Sequence, residues 1–386
     1  MGFSSFFRNF AAMNAKRLHI FLFLVLMTLS ASAQKESFVT KAARYVKNYL
    51  DSAVIKSADS NYIVVPKRPW QVIVRHNMDQ MRVSMHSVVE DEEAFLDWTP
   101  TVRTRTANSI GLWVGYRGYG LGYSFNVRER TGYHFSLGAV GGGYGINLRL
   151  RSFAARDFNA DICFMPKVPL TYPSDDGEGY EQLQPLDGNY DLEIEEPIRV
   201  HSLVIDGYYL FNGKRFSYSA AYDQSTIQIR SAGSLMVGAM WNALSVRYNS
   251  DKNAALVTLM RNVGAFKIRQ GSLGVGYAYN WVPVRGLLVN VLFMPMVTLY
   301  NRQVVSYYDT IMGDTTDDDF IDDEENVSHW SRVTLTYNAR ASITYNYDRF
   351  FFNVNGQYNN HSYKYGDDGD GRVKDWFITT SVGVRF

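Results

Sequence analysis

Residues 333–347 read VTLTYNARASITYNY, residues 350–359 read FFFNVNGQYN, and residues 376–386 read WFITTSVGVRF. All three alternate with a period of two. Successive side chains of a strand point to opposite faces, so each segment has one apolar and one polar face. Leu335, Tyr337, Ile343 and Tyr345 share a face, and Thr336, Asn338, Arg340 and Ser342 share the other. A soluble sandwich buries the apolar face; a membrane barrel turns it to lipid and its polar face to a wet lumen. These segments are long for soluble strands, which usually run to about 5–6 residues. Their ends are aromatic, and the chain stops on a strand ending in Phe386. From Trp376 to Phe386, at roughly 3.3 Å per residue and a tilt near 40°, a strand climbs about 25 Å, the height of an outer-membrane apolar band. The expected fold is all-β: an antiparallel transmembrane β-barrel.

Composition agrees. Aromatics make up 15% of the 386 residues, with 27 Tyr and 30 Gly, which is high for a cytosolic enzyme but ordinary for a barrel with aromatic girdles. Mean hydropathy is −0.21, which excludes a bundle of apolar helices. A single cysteine, Cys163, excludes an internal disulfide.

Residues 1–33 are expected to be a signal peptide. Lys16 and Arg17 precede the apolar run Ile20–Leu29, and Ala31-Ser32-Ala33 is a small-residue cleavage site. Met13 is the natural start of such a signal. Taking its three cations from the 39 Lys and Arg leaves 36 against 38 acids, a net near −2. That balance gives no basic footprint for nucleic acid. Residues 34–69 are expected to carry a short helix, because Phe38, Ala42, Tyr45, Tyr49 and Ala53 follow helical spacing. It would plug the lumen or sit at the periplasmic mouth. Residues 70–386 are assigned to the barrel.

Inside that range the spacing predicts a hairpin around Asn77 and Asp79, then regular strands from Leu112. Tight turns are expected at 117–118, 141–142, 212–213, 282–285 and 348–349, with the strand after 213 continuing through Phe216, Tyr218, Ala220 and Tyr222. Proline and acid-rich stretches at 154–198, 301–329 and 364–372 read as long loops. Short turns belong on the periplasmic side and long loops outside. One further turn near Asn242 keeps this alternation and gives 12 or 14 strands.

The run Asp206-Gly207-Tyr208-Tyr209-Leu210-Phe211-Asn212-Gly213-Lys214-Arg215-Phe216-Ser217-Tyr218, with Ser231-Ala232-Gly233-Ser234, is similar to a recurrent stretch of a Bacteroidota envelope family. So are Gly115-Tyr116-Arg117-Gly118 with Leu121-Gly122-Tyr123-Ser124, and Gly276-Tyr277-Ala278-Tyr279-Asn280. The sequence thus resembles the family catalogued as domain of unknown function 4421, from about Asn61 to Phe386. The resemblance implies an outer-membrane barrel and supplies no catalytic or binding residues. Phe386 also resembles the C-terminal aromatic signal read by the barrel assembly machinery.

No motif carries an enzyme's chemistry. His134 and His201 fall on strands near the rims, but no acid, His and nucleophile set is recognisable around them. Asp175-Asp176-Gly177-Glu178 and Asp367-Asp368-Gly369-Asp370 offer oxygen ligands to calcium, yet neither has the twelve-residue EF-hand spacing, so solvated loops are the simpler reading. Gly141-Gly142-Gly143 lacks the Lys and helix of a phosphate loop. No cofactor or metal is expected. The candidate functional set is the lumen lining: Arg149, Arg151, Arg340, Asn353, Asn355, Gln357 and Arg385, with Asn147 and Asn338 beside them. Three roles follow: a channel or transporter for small solutes, a structural or surface-binding barrel without an open pore, and an outer-membrane enzyme as the weakest. The expected surroundings are the outer membrane of a Gram-negative bacterium, its lipid and lipopolysaccharide, and the barrel assembly machinery; oligomeric state is left open.

Overall fold

The computed structural model describes residues 58–127, 132–173, 180–247, 263–307, 327–330, 333–365 and 369–386. Nearly all are strand. In chain order β1 spans Trp70–Glu90, β2 Ala94–Thr104, β3 Ala107–Tyr116, β4 Tyr119–Asn126, β5 Tyr133–Val140, β6 Tyr144–Pro166 and β7 Leu186–Leu210. A short helix, α1, covers Tyr218–Tyr222. Then come β8 Ala232–Arg247, β9 Val263–Val284, β10 Leu287–Tyr307, β11 Thr334–Tyr347, β12 Phe350–Tyr365 and β13 Gly369–Arg385.

Every one of these strands pairs antiparallel with its neighbours, and β13 returns to pair with β1. β2 and β3 share one place in the ring, because both pair with β1: β3 along Trp70–Asp79 and β2 along Arg82–Glu90. Among the described residues the ring therefore has twelve places. Closure pairs the backbone groups that lipid could not satisfy. At the chain's end, the Phe386 amide donates to the Trp70 carbonyl at 3.0 Å, and the Trp70 amide to Phe386 at 3.1 Å. The turns at Arg117-Gly118, Arg285-Gly286 and Asp348-Arg349 lie at this same end. Gly118 and Gly286 have φ of 89° and 88° there, backbone that glycine adopts without strain.

The polarity of the ring is inverted relative to a soluble core. Along β11 the buried residues are Thr336, Asn338, Arg340, Ser342 and Thr344, and the exposed ones are Leu335, Ile343 and Tyr345. Val291 is 60% exposed while Asn290 is fully buried. An apolar exterior around a polar interior is stable only against lipid.

That inversion stops partway up the strands. On β13 the outward residues run Phe386, Val384, Val382, Ile378 and Trp376, and then become Lys374 and Arg372. The inward ones change in the opposite sense, from Arg385, Ser381 and Thr379 to Val373. β1 repeats it: outward Val72, Val74 and Met78 give way to Gln80, Arg82 and Ser84, as inward Gln71, Asn77 and Asp79 give way to Met81, Val83 and Met85. Above the Trp376 level the sheet is thus a water-exposed tier with an ordinary apolar core, which includes Phe158, Ile198, Val246, Phe266 and Val305. β2 pairs directly with β6 there, over Ala94–Thr104 against Pro166–Ala155, so the ring loses the places of β4 and β5 and narrows.

This tier explains where the sequence misleads. The stretch 154–198 is not one loop: β6 runs to Pro166 and β7 begins at Leu186, with a small hairpin of Thr171–Pro173 and Tyr180–Gln182 between them. Its outward residues are polar because they face water, and Pro166 stands at a strand end, where it costs no central ladder bond. Likewise β10 extends to Tyr307, and β12 and β13 reach Tyr365 and Gly369, into the stretches read as loops 301–329 and 364–372. Asn77 and Asp79 form no hairpin; β1 is continuous, and both are buried on its lumen face. Asn242 is no turn either, but an inward residue of an unbroken β8. The helix expected within 34–69 falls almost wholly outside the described residues, as do the acidic sets at 175–178 and 367–368.

His86 stands six residues beyond Gln80 on β1, above the lipid-facing band. Its Nδ1 lies 3.0 Å from Asp370 on β13 and its Nε2 3.0 Å from Asp97 on β2. The bond to Asp370 chiefly, with Asp97 adding to it, holds the imidazole above its ordinary pKa against a smaller effect of burial. A raised folded-state pKa stabilises fully below about pH 6.5 and is lost as pH rises through the folded value. Amides around Met85, Trp98 and Gly371 are therefore expected to exchange more slowly at pH 5.5 than at pH 7.5, after correction for intrinsic rates, and His86→Gln should flatten this dependence. An unchanged profile in the variant argues against the clamp.

Candidate functional site: a bridged and plugged lumen

Within the membrane-facing tier, the inward residues reach across the barrel. Arg151 on β6 makes a two-pronged contact with Asp375 on β13, at 2.8 and 2.7 Å. Arg149, two residues away on the same face, donates to Gln357 on β12 at 2.6 Å. β6 and β12 stand six places apart in a ring of twelve, so this bond crosses the lumen. Arg340 on β11 pairs with Asp206 on β7 at 3.1 Å, and Arg149 shares that carboxylate at 3.5 Å. Asn147 and Asn359 complete it, donating to Asp206 at 2.9 Å and to Asp375 at 3.2 Å. Paired carboxylates and forked guanidinium donors are the economical way to fill a buried polar space. Asp206 and Asp375 are the acids that make it possible, and alternation alone does not single them out. The signal was available in parity: both fall on inward positions of their strands.

One end of the lumen is filled by the connection between β7 and β8. Asn212-Gly213 does turn, but the chain then enters the barrel as α1 and does not continue as a strand. Ser217 caps α1, accepting from the Ala220 amide at 3.2 Å. Residues 227–228 pair with Ile63–Val64 as a two-stranded patch. The wall grips this plug through its inward polar residues. Gln71 donates to the Asp223 carbonyl at 2.8 Å, Asn280 to that of Ser217 at 2.9 Å, and Asn353 to that of Ala221 at 3.0 Å. Arg385 donates to the Gln224 carbonyl at 2.8 Å while stacking over Phe351. Tyr222 donates to Asn290 at 2.6 Å, and Arg340 donates to the Tyr218 hydroxyl. Phe216, Tyr218, Ala220 and Ala221 are buried against it, and the apolar spacing of Phe216, Tyr218, Ala220 and Tyr222 imitates a strand.

All seven lumen candidates sit on the inner face, and they fall into two groups. Arg149, Arg151, Arg340 and Gln357 belong to the bridging network; Asn353 and Arg385 hold the plug. Asn355 is half-buried between them and donates to Asn353 at 2.7 Å. Phe386, by contrast, turns its ring outward at the seam. His134 is buried inside on β5, whereas His201 faces outward on β7. Above the plug a chamber of about 80 Å³ remains, lined by Arg75, Ser124, His134, Arg149, Tyr222 and Phe377 among others. Among the described residues no group of three or more His, Cys, Asp or Glu is placed to hold a metal ion.

A closed antiparallel ring, apolar outside and polar inside over one band, is the architecture of outer-membrane β-barrels, and this protein is of that class. It belongs to the family described as Domain of unknown function (DUF4421), whose model matches residues 57–386. None of the curated proteins matches the sequence. Solved structures similar to it include the outer membrane protease OmpT of Escherichia coli, at 8% identity over 82% of this chain and 97% of that one, with a TM-score of 0.35. The β domain of the Bordetella autotransporter BrkA gives 11%, 82%, 100% and 0.30. The translocator domain of the autotransporter NalP from Neisseria meningitidis gives 7%, 90%, 95% and 0.30.

Proposed function

We propose that the protein is an envelope barrel that is shut at rest and anchors a surface structure, its water-exposed tier, in the outer membrane of a Gram-negative bacterium. The observation that carries this reading is the crossing of the lumen by Arg149–Gln357 and Arg151–Asp375. Barrels of 16–18 strands leave aqueous channels; in twelve places, side chains from opposite walls meet. The plug and the apolar core of the upper tier support the same reading at the two ends. The short turns then face the periplasm, and the tier faces outward among lipopolysaccharide. This reading assigns no catalytic role to His134 or His201; among the described residues neither ring nitrogen of His134 has a hydrogen-bond partner. Pure folded protein in a planar bilayer is expected to give no discrete current steps; regular steps of constant size would overturn the shut barrel.

Small-solute transport is the second reading, favoured by the chamber between plug and core. In either role, Phe386 is proposed as the contact for the assembly machinery. Its exposed ring lies at the seam, and its backbone makes two of the bonds that join β13 to β1. Deleting Phe386 is expected to lower the heat-modifiable folded fraction in outer membranes; unchanged folding counts against this role.

A further inference from the structure

The chamber above the plug has an unusual balance of groups. His134 is buried on its wall, and neither ring nitrogen has a hydrogen-bond partner. Arg149 contributes Nη2 to the bridging network, while its buried Nη1 has no partner. Arg75 lines the same space with its guanidinium 4.1 Å above the Trp113 ring, and makes no side-chain hydrogen bond or ion pair among the described residues. Arg149 is likewise stacked on Phe377 at 4.1 Å. Stacking fixes the plane of a guanidinium and leaves its edge donors free for a planar acceptor.

The charges point one way. Asp206 answers Arg340 as well as Arg149, so that trio carries one excess positive charge. Asp223 of the plug acts on Arg75 only through space, without an ion pair. Asp79, four residues along the same face of β1, does not line the chamber. Buried donors without acceptors are costly to leave unmade. Two forked cations and an open imidazole around a compact enclosed space suit a small molecule with carboxylate groups.

We propose that this chamber is a binding site for a small organic acid, with Arg75 and Arg149 taking its carboxylates and His134 adding a further hydrogen bond. The proposal goes beyond the shut-barrel reading and does not rest on it: conductance tests that reading, and ligand-induced stabilisation tests this one. The full folded barrel in detergent is the material, and the probe is succinate at fixed ionic strength, with neutral succinamide as its shape control. Succinate is expected to raise the melting temperature, and succinamide is not. Arg75→Gln should weaken the succinate response about tenfold or more, the worth of one charge-assisted bond. It breaks no ion pair, so its folding is checked by the heat-modifiable band shift. Arg269→Gln, on the exposed outer face, should respond as the wild type does. Equal responses to succinate and succinamide, an undiminished response in Arg75→Gln, or no response at all would each overturn the site.

Discussion

Asp375→Ala is expected to lower the unfolding free energy of the barrel by about 3–5 kcal/mol, the cost of leaving one partner of a buried ion pair alone. The side chains of Arg151 and Asp375 are 1% and 4% exposed, so water cannot replace the lost carboxylate in place. Asn359, which donates to Asp375 at 3.2 Å, loses its acceptor as well. The effect belongs to the stranded guanidinium, which gives a sharp check. Arg151→Met combined with Asp375→Leu removes both charges and should recover much of the loss, as apolar replacements of buried pairs commonly do. Urea unfolding of the single and double variants in lipid vesicles, followed by tryptophan fluorescence, measures both. A double variant no more stable than Asp375→Ala would mean that the pair is held for its net attraction. An Asp375→Ala loss below about 1 kcal/mol would show that water reaches the site, as at an exposed pair.

The same residues show how far the sequence could be read. Alternation located the lipid-facing band because a strand in lipid has only one apolar face, and β11 and the membrane-facing parts of β12 and β13 carry it. Inward placement of Arg149, Arg151, Arg340 and Arg385 follows from parity alone. What they meet does not, because Arg149 and Gln357 are 208 residues apart and come together only through closure of the ring. The upper tier was hidden for a different reason. Its strands keep the period but exchange the faces: Val373 replaces Ser381 inside and Lys374 replaces Val382 outside. A rule built for lipid therefore reads the continuation as loop. The plug was missed because Asn212-Gly213 is a strong hairpin signal and because Phe216, Tyr218, Ala220 and Tyr222 imitate a strand. They are apolar because they pack against the wall from within, and Ser217, the helix cap, was the available cue.

Removing the plug separates the layers that close the lumen. Leu210 pairs with Met236, and the Phe211 amide donates to the Leu235 carbonyl at 3.1 Å. Deleting residues 214–231 therefore leaves Asn212-Gly213 close to a register that a short hairpin can join. The shortened barrel is expected to fold, since the ring itself loses no ladder. Asn280, Asn353, Gln71 and Arg385 lose carbonyl acceptors in the plug, and water entering from the short-turn end replaces them. Thr344, fully buried beneath α1, becomes the reporter. In a Cys163→Ser background, Thr344→Cys should be almost inert to a soluble maleimide in the plugged barrel and reactive in the shortened one. If local opening of the plug costs about 3 kcal/mol, the rates differ by about 100-fold. Conductance should nevertheless remain absent, because Arg149–Gln357, Arg151–Asp375 and the apolar core above them are untouched. Steady current steps from the shortened barrel would make the plug the sole gate and the bridges permeable. Equal labelling in both barrels would mean that α1 does not cover Thr344 in the membrane.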